Sequence, residues 1–147
     1  MKHRILILFT SLFAFIAPAT AQMPDGEFLE AKGTAAAVIL AHGRADGPNG
    51  YVVGPLRRAI ARDAGLHTLS LQMPALSTSN FSAYAAVFPD AYKTLQAAVD
   101  FLTKEKGVKR IYVMGYSMGA RMTTAFLATH QIPEVVGYIG VGVLTGG

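Results

Sequence analysis

The sequence predicts an α/β fold: a mostly parallel sheet with flanking helices, stacked in three layers. Three observations carry this prediction. Short apolar runs alternate with helical patterns in the order β-α-β-α-β-α-β, the alternation that parallel sheets with right-handed crossovers produce. The runs are nearly continuous in apolar residues, which suits strands buried on both faces. The third run passes directly into a helical pattern through Gly115-Tyr116-Ser117-Met118-Gly119, a turn with glycine two places before and two places after its serine.

Taken in order, residues 1–21 stand apart. Lys2 and Arg4 make a charged start, residues 5–17 are apolar, and Ala19-Thr20-Ala21 precedes Gln22 as a small-residue cleavage site. This is the pattern of a secretory signal peptide, and the apolar run is short of the roughly 20 residues of a membrane span. The expectation is a periplasmic or secreted protein with no stable membrane insertion after cleavage. Residues 22–34 read as a polar leading arm. Residues 35–40 form the first apolar strand, ending at His42-Gly43. Asp46-Gly47-Pro48-Asn49-Gly50 is dense in turn formers. Residues 56–64 fit a helix that Gly65 stops. Residues 68–71 make a short strand closed by Pro74, and residues 75–88 read as an irregular segment. Residues 90–106 give the clearest helix, with Ala91, Leu95, Ala98, Val99 and Leu102 on one face and Gly107 at its end. Residues 110–114 form a strand, a helix runs from the turn to about His130, and Val135–Val141 is the last strand.

Composition narrows the class. Hydrophobic residues make up 52% of the 147 positions, so the chain is written for burial rather than disorder. There are 13 basic and 9 acidic residues; without Lys2 and Arg4 the net charge falls from +4 to +2. The basic groups at Arg57-Arg58 and at residues 104–110 read as solvated helix faces and ends. No aromatics are interleaved with them, so no nucleic-acid surface is expected. The chain has no cysteine, hence no disulfide framework and no thiolate metal site. Neither a metal nor an organic cofactor is implied.

A G-x-S-x-G between a strand and a helix is the nucleophile-elbow pattern of serine hydrolases. Gly115 and Gly119 satisfy the need for small residues where strand and helix converge. Ser117 would stand out at the carboxyl edge of the sheet, and the N–H of Met118 at the helix start suits a developing oxyanion. With Ala41-His42-Gly43-Arg44 directly after the first strand, the chain resembles the N-terminal part of an α/β-hydrolase, a partial fold covering residues 35–147. Gly54-Pro55-Leu56-Arg57-Arg58 and residues 67–74 are also similar to uncharacterised secreted bacterial hydrolase-like proteins. The resemblance implies that the H-G loop supplies a second oxyanion donor, the N–H of Arg44, with Gly43 allowing the turn. It implies a small ester or acyl substrate, and His42 and Tyr116 near the site.

A serine hydroxyl needs a base, and the base an orienting carboxylate. In this family the order is Ser, then Asp or Glu, then His. After Ser117 the sequence offers only His130 and Glu134, and no aspartate. His130 lies about 20 Å along the helix from the serine, at 1.5 Å per residue. It reads as a helix C-terminal histidine, and Glu134 is displaced with it. His42 reads as holding its loop and His67 as structural. Asp46 and Asp90 read as turn former and helix N-cap. Arg121 reads as solvated or paired. Phe81, Tyr84 and Phe88 read either as an apolar wall over the site or as ordinary core. The acid and base of the triad are thus expected outside this chain, which is read as a fragment, a truncation or one part of a complex. The alternative is a non-catalytic hydrolase-like protein with a binding role, in which the last strand needs a partner.

Overall fold

A computed structural model of the chain describes residues 20–142. The expected signal segment, residues 1–21, falls almost wholly outside them. Five strands form one sheet: β1 (Gly26–Leu29), β2 (Ala36–Ala41), β3 (His67–Leu71), β4 (Arg110–Tyr116) and β5 (Val135–Val141). Their spatial order is β1-β3-β2-β4-β5. The four strands read from the sequence all run parallel, and β1 alone is antiparallel, against β3.

β1 corrects the reading of residues 22–34 as a polar arm. Gly26 pairs with Leu71 and Leu29 with Thr68, so the arm extends the sheet at one edge. Phe28 and Phe101 meet edge to face, with ring centroids 5.5 Å apart. His67 fastens the segment that follows. Its Nδ1 accepts the Ala31 N–H (3.1 Å), leaving Nε2–H to donate to the Thr34 carbonyl (3.2 Å). Its expected structural role is what the geometry displays.

Three helices cover the sheet. α1 (Val53–Ala59) continues through a wider turn to Ala64 and stops at Gly65. α2 (Phe88–Asp100) continues to Glu105 just before Gly107, and α3 (Met118–Thr129) follows β4 directly. All six residues of β2 are buried, because it runs between β3 and β4 with helices above and below. Alternate residues divide between the faces. Ile39, Leu69, Ile111 and Val113 meet Leu95 and Leu102 of the α2 run and Phe126 of α3 in the larger core. Val38, Leu40 and Met114 meet Val53, Leu56 and Ile60 in the smaller one.

Residues 75–88 are more ordered than the sequence indicates, since Phe81–Val87 forms 3₁₀ turns leading into α2. Asn80 caps them by accepting the Ser82 N–H. Tyr84 belongs to the core, 1% exposed. Its hydroxyl donates to the Leu76 carbonyl at 3.0 Å and accepts the Leu76 N–H at 3.2 Å. That double bond pins the preceding loop against the helices. Replacing Tyr84 with Phe removes both partners of Leu76, and a part-buried pair left unsatisfied costs on the order of 1–3 kcal/mol. Urea unfolding should show a lower midpoint at unchanged slope, equivalent to a stability loss of that size.

Candidate active site

The site is built where β4 turns into α3. Ser117 has φ 53° and ψ −117°, one of two non-glycine residues with positive φ among the described residues. Such a conformation costs about 1–3 kcal/mol and persists only where its surroundings enforce it. Here the enforcement is visible. The Ser117 N–H donates to the Val141 carbonyl at 2.8 Å, and the Ser117 carbonyl accepts from Ala120 (3.0 Å) and Arg121 (3.3 Å). The residue is therefore tied to both the last strand and the first turn of α3. Met118, at the first helical position, has no intrahelical carbonyl for its N–H.

Both flanking glycines are required by close approach. A Cβ on Gly115 would run into the Ala120 backbone and Thr123 Oγ1, and one on Gly119 into the carbonyls of Ala41 and His42. The second contact brings the start of α3 down onto the end of β2. It thereby sets Ser117 beside the loop that leaves β2.

That loop is His42-Gly43-Arg44. A Cβ on Gly43 would lie 3.2 Å from the Ser117 Cβ and 3.0 Å from the Tyr116 ring, so the loop passes directly against the serine. His42 is 2% exposed. Its Nε2 accepts the Met73 N–H at 3.0 Å, which makes Nδ1 the donor to the Gly43 carbonyl at 2.7 Å. Gln72 adds a contact at 3.3 Å to the same Nε2. Both ring nitrogens are committed, and the imidazole bolts the loop to the end of β3. Arg44 reaches outward, donating to the Thr78 carbonyl at 3.2 Å with its guanidinium 5.2 Å above the Phe81 ring.

Asp46 accepts the Gly47 N–H through Oδ1 at 2.9 Å, the turn role expected of it. Its other oxygen is buried without a partner. Asp90 lies in the first turn of α2, paired with Lys93. Tyr116 is half-buried. Sequence reasoning missed Tyr51, 80% exposed, whose hydroxyl lies beside that of Tyr116. The Tyr116 hydroxyl holds the Tyr51 phenol above its ordinary value, with lost solvation and then Asp46 adding to the shift. It also missed Ala45, the second positive-φ residue (55°), in the turn beyond Arg44. No composition or spacing signal marks either.

The described histidines do not complete a charge relay at Ser117. His42 is committed on both nitrogens, and His67 sits at the amino end of β3. His130 caps the far end of α3, stacked on Phe126 at 4.5 Å with Nδ1 3.0 Å from the Phe126 carbonyl. Glu134 is at the same remote edge, its carbonyl taking the Ile111 N–H. Among the described residues no three His, Asp or Glu side chains gather where they would hold a metal ion. No helix among them is long and apolar enough to cross a membrane.

Residues 36–140 match the family model described as alpha/beta hydrolase fold. The chain belongs to that family. Solved structures agree in fold. It is similar to the esterase PE8 (TM-score 0.53, 20% identity, covering 69% of this chain and 56% of that one). It is also similar to a putative alpha/beta hydrolase from Agrobacterium tumefaciens (0.58, 22%, 78% and 53%). A structure reported for the metagenome-derived lipolytic enzymes LipS and LipT matches at 0.55, with 22% identity, 80% of this chain and 46% of that one. The chain spans about half the length of these solved relatives. No curated protein sequence matches it.

The convergence of strand and helix makes a direct prediction. A glycine-to-alanine change that fits its site stabilises a protein by about 0.4–1 kcal/mol. In Gly119→Ala the added methyl meets two backbone carbonyls, and overpacking of about 1–3 kcal/mol wins. The variant should unfold at lower urea than the parent.

Proposed function

We propose that the protein is a secreted serine hydrolase that cleaves esters or related acyl substrates. The observation that carries this reading is Ser117, held at positive φ between strand and helix with the Gly43 loop against it. In this reading the Ser117 hydroxyl attacks the substrate carbonyl, forming an Oγ–carbon bond as its proton passes to a histidine base. The N–H groups of Met118 and Arg44 receive the oxyanion, and loss of one such donor costs about 10²–10³ in rate. The alcohol leaves with the proton, and water then releases the acid and frees the serine. Gly115 and Gly119 shape the elbow, Gly43 lets the loop approach, His42 holds that loop in register, and Tyr116 lines the pocket. No metal or organic cofactor enters these steps. The base and its carboxylate come from polypeptide other than residues 20–142. The charged start, apolar run and small-residue site of residues 1–21 support export to the periplasm or beyond.

The test is covalent labelling by a fluorophosphonate, with the modified residue identified by mass spectrometry. The 147-residue chain alone should turn over no p-nitrophenyl ester above background. Its Ser117 should be phosphonylated when imidazole is added as an external base, and Ser117→Ala should abolish the label. Label on a different serine would overturn the assignment. Ester turnover by the unaided chain that depends on Ser117 would overturn the account of the base.

A further inference from the structure

The peptide unit between Gly43 and Arg44 carries the N–H assigned to the oxyanion. The unit is planar and trans, so that N–H points opposite to the Gly43 carbonyl. His42 Nδ1–H donates to this carbonyl at 2.7 Å, which turns the Arg44 N–H away from the imidazole. At the other end of the unit the Arg44 side chain supplies a second hold. Nη1 donates to the Thr78 carbonyl at 3.2 Å, and the guanidinium lies 5.2 Å above the centre of the Phe81 ring. Ala45 follows at φ 55°. It and Ser117 are the two non-glycine residues at positive φ among the described residues, and both lie at this site. Such a backbone persists only where its neighbours enforce it. Asp46 fixes the far side of Ala45 by accepting the Gly47 N–H, and Arg44 is the neighbour on the near side. The post that Arg44 grips is itself fixed. Tyr84, 1% exposed, holds both backbone groups of Leu76. The Asn80 N–H donates to Thr78 Oγ1 at 3.1 Å.

We infer that the Arg44 side chain is a positioning group for the oxyanion donor. By gripping Thr78 and Phe81 it holds the backbone N–H of its own residue, and Ala45 behind it, in the arrangement that serves Ser117. The inference rests on Ser117 as the attacking residue and adds a control point to that site. Residues 76–84 take no part in the bond making proposed for Ser117, yet a displacement of them releases the donor through Arg44. Loss of a whole oxyanion donor costs about 10²–10³ in rate. With His42 still in place, a donor that is present but no longer gripped loses part of that, on the order of tenfold.

Two readouts on the 147-residue chain test it. One is the rate of Ser117 phosphonylation by a fluorophosphonate at a fixed imidazole concentration. The other is the set of backbone N–H order parameters from NMR relaxation. Arg44→Ala should slow phosphonylation about tenfold. Its order parameters at residues 44 and 45 should fall from the rigid range of about 0.85 to below about 0.6. Phe81→Leu keeps apolar bulk without the flat ring face, and should lose part of both. Phe81→Tyr keeps the ring and should match the parent in both. The double variant Arg44→Ala, Phe81→Leu should be no slower than Arg44→Ala alone, because the Phe81 effect passes through Arg44. Arg44 is exposed and Phe81 is 42% exposed, so every variant should unfold at the parent's urea midpoint. The inference is overturned if Arg44→Ala is labelled at the parent's rate, or if its order parameters stay at the parent's values. It is overturned equally if the two single losses multiply in the double variant, or if the rate falls only in step with the urea midpoint. A parent whose Ser117 takes no label overturns the serine reading itself. A labelled parent with an indifferent Arg44→Ala overturns this inference alone.

Discussion

The distance at which β4 and α3 converge sets almost everything else about the site. With hydrogen in place of a side chain at Gly115 and Gly119, the end of β4 lies against Ala120 and Thr123 of α3, and the first turn of α3 settles on the end of β2. A reversal this sharp has to be absorbed by one residue, and Ser117 absorbs it at positive φ. Strain of that kind is not self-supporting. It is held by the bond to Val141 across the sheet and by the two amides of α3 that return to Ser117. The same approach brings the His42-Gly43-Arg44 loop over the serine. Serine, helix start and loop therefore form one mechanical unit.

The sheet that carries this unit is covered unequally. The face beneath α2 and α3 holds the larger core, and the face beneath α1 a smaller one. Toward β5 the second face opens: Ile139 is 56% exposed. An apolar cavity of about 260 Å³ lies between Ile60, Leu66, Met114 and Ile139. Parallel strands are ordinarily covered on both faces. β5 also carries no charged residue to discourage pairing along its free edge. Its role in the site is nevertheless direct, since the Val141 carbonyl anchors Ser117.

Much of this was legible in the residues. β2 announces itself because all six of its buried residues are apolar, and β4 because residues 111–114 form a similar apolar run. Gly65 and Gly107 mark the helix ends because a left-handed residue stops a helix. The turn at Ser117 was readable because steric demand there admits only glycine at two fixed spacings. β1 was not legible: four residues with one half-buried aromatic carry no period, and their stability comes from the ladder to β3. Tyr84 and Phe81 are three residues apart in one aromatic-rich segment. Yet one is core and the other solvent-facing, a division set by the Leu76 clamp and by Arg44. The neighbourhood of Tyr51, Tyr116 and Asp46 depends on a loop path that no local pattern encodes.

The most direct measurement of the central claim is a crystal structure that resolves the backbone at residues 115–119. The account predicts Ser117 at φ near +53°, its N–H on the Val141 carbonyl and Gly119 seated against the carbonyls of Ala41 and His42. A Ser117 with ordinary negative φ, with α3 splayed away from β2 and the Gly43 loop no longer touching the serine, would contradict it.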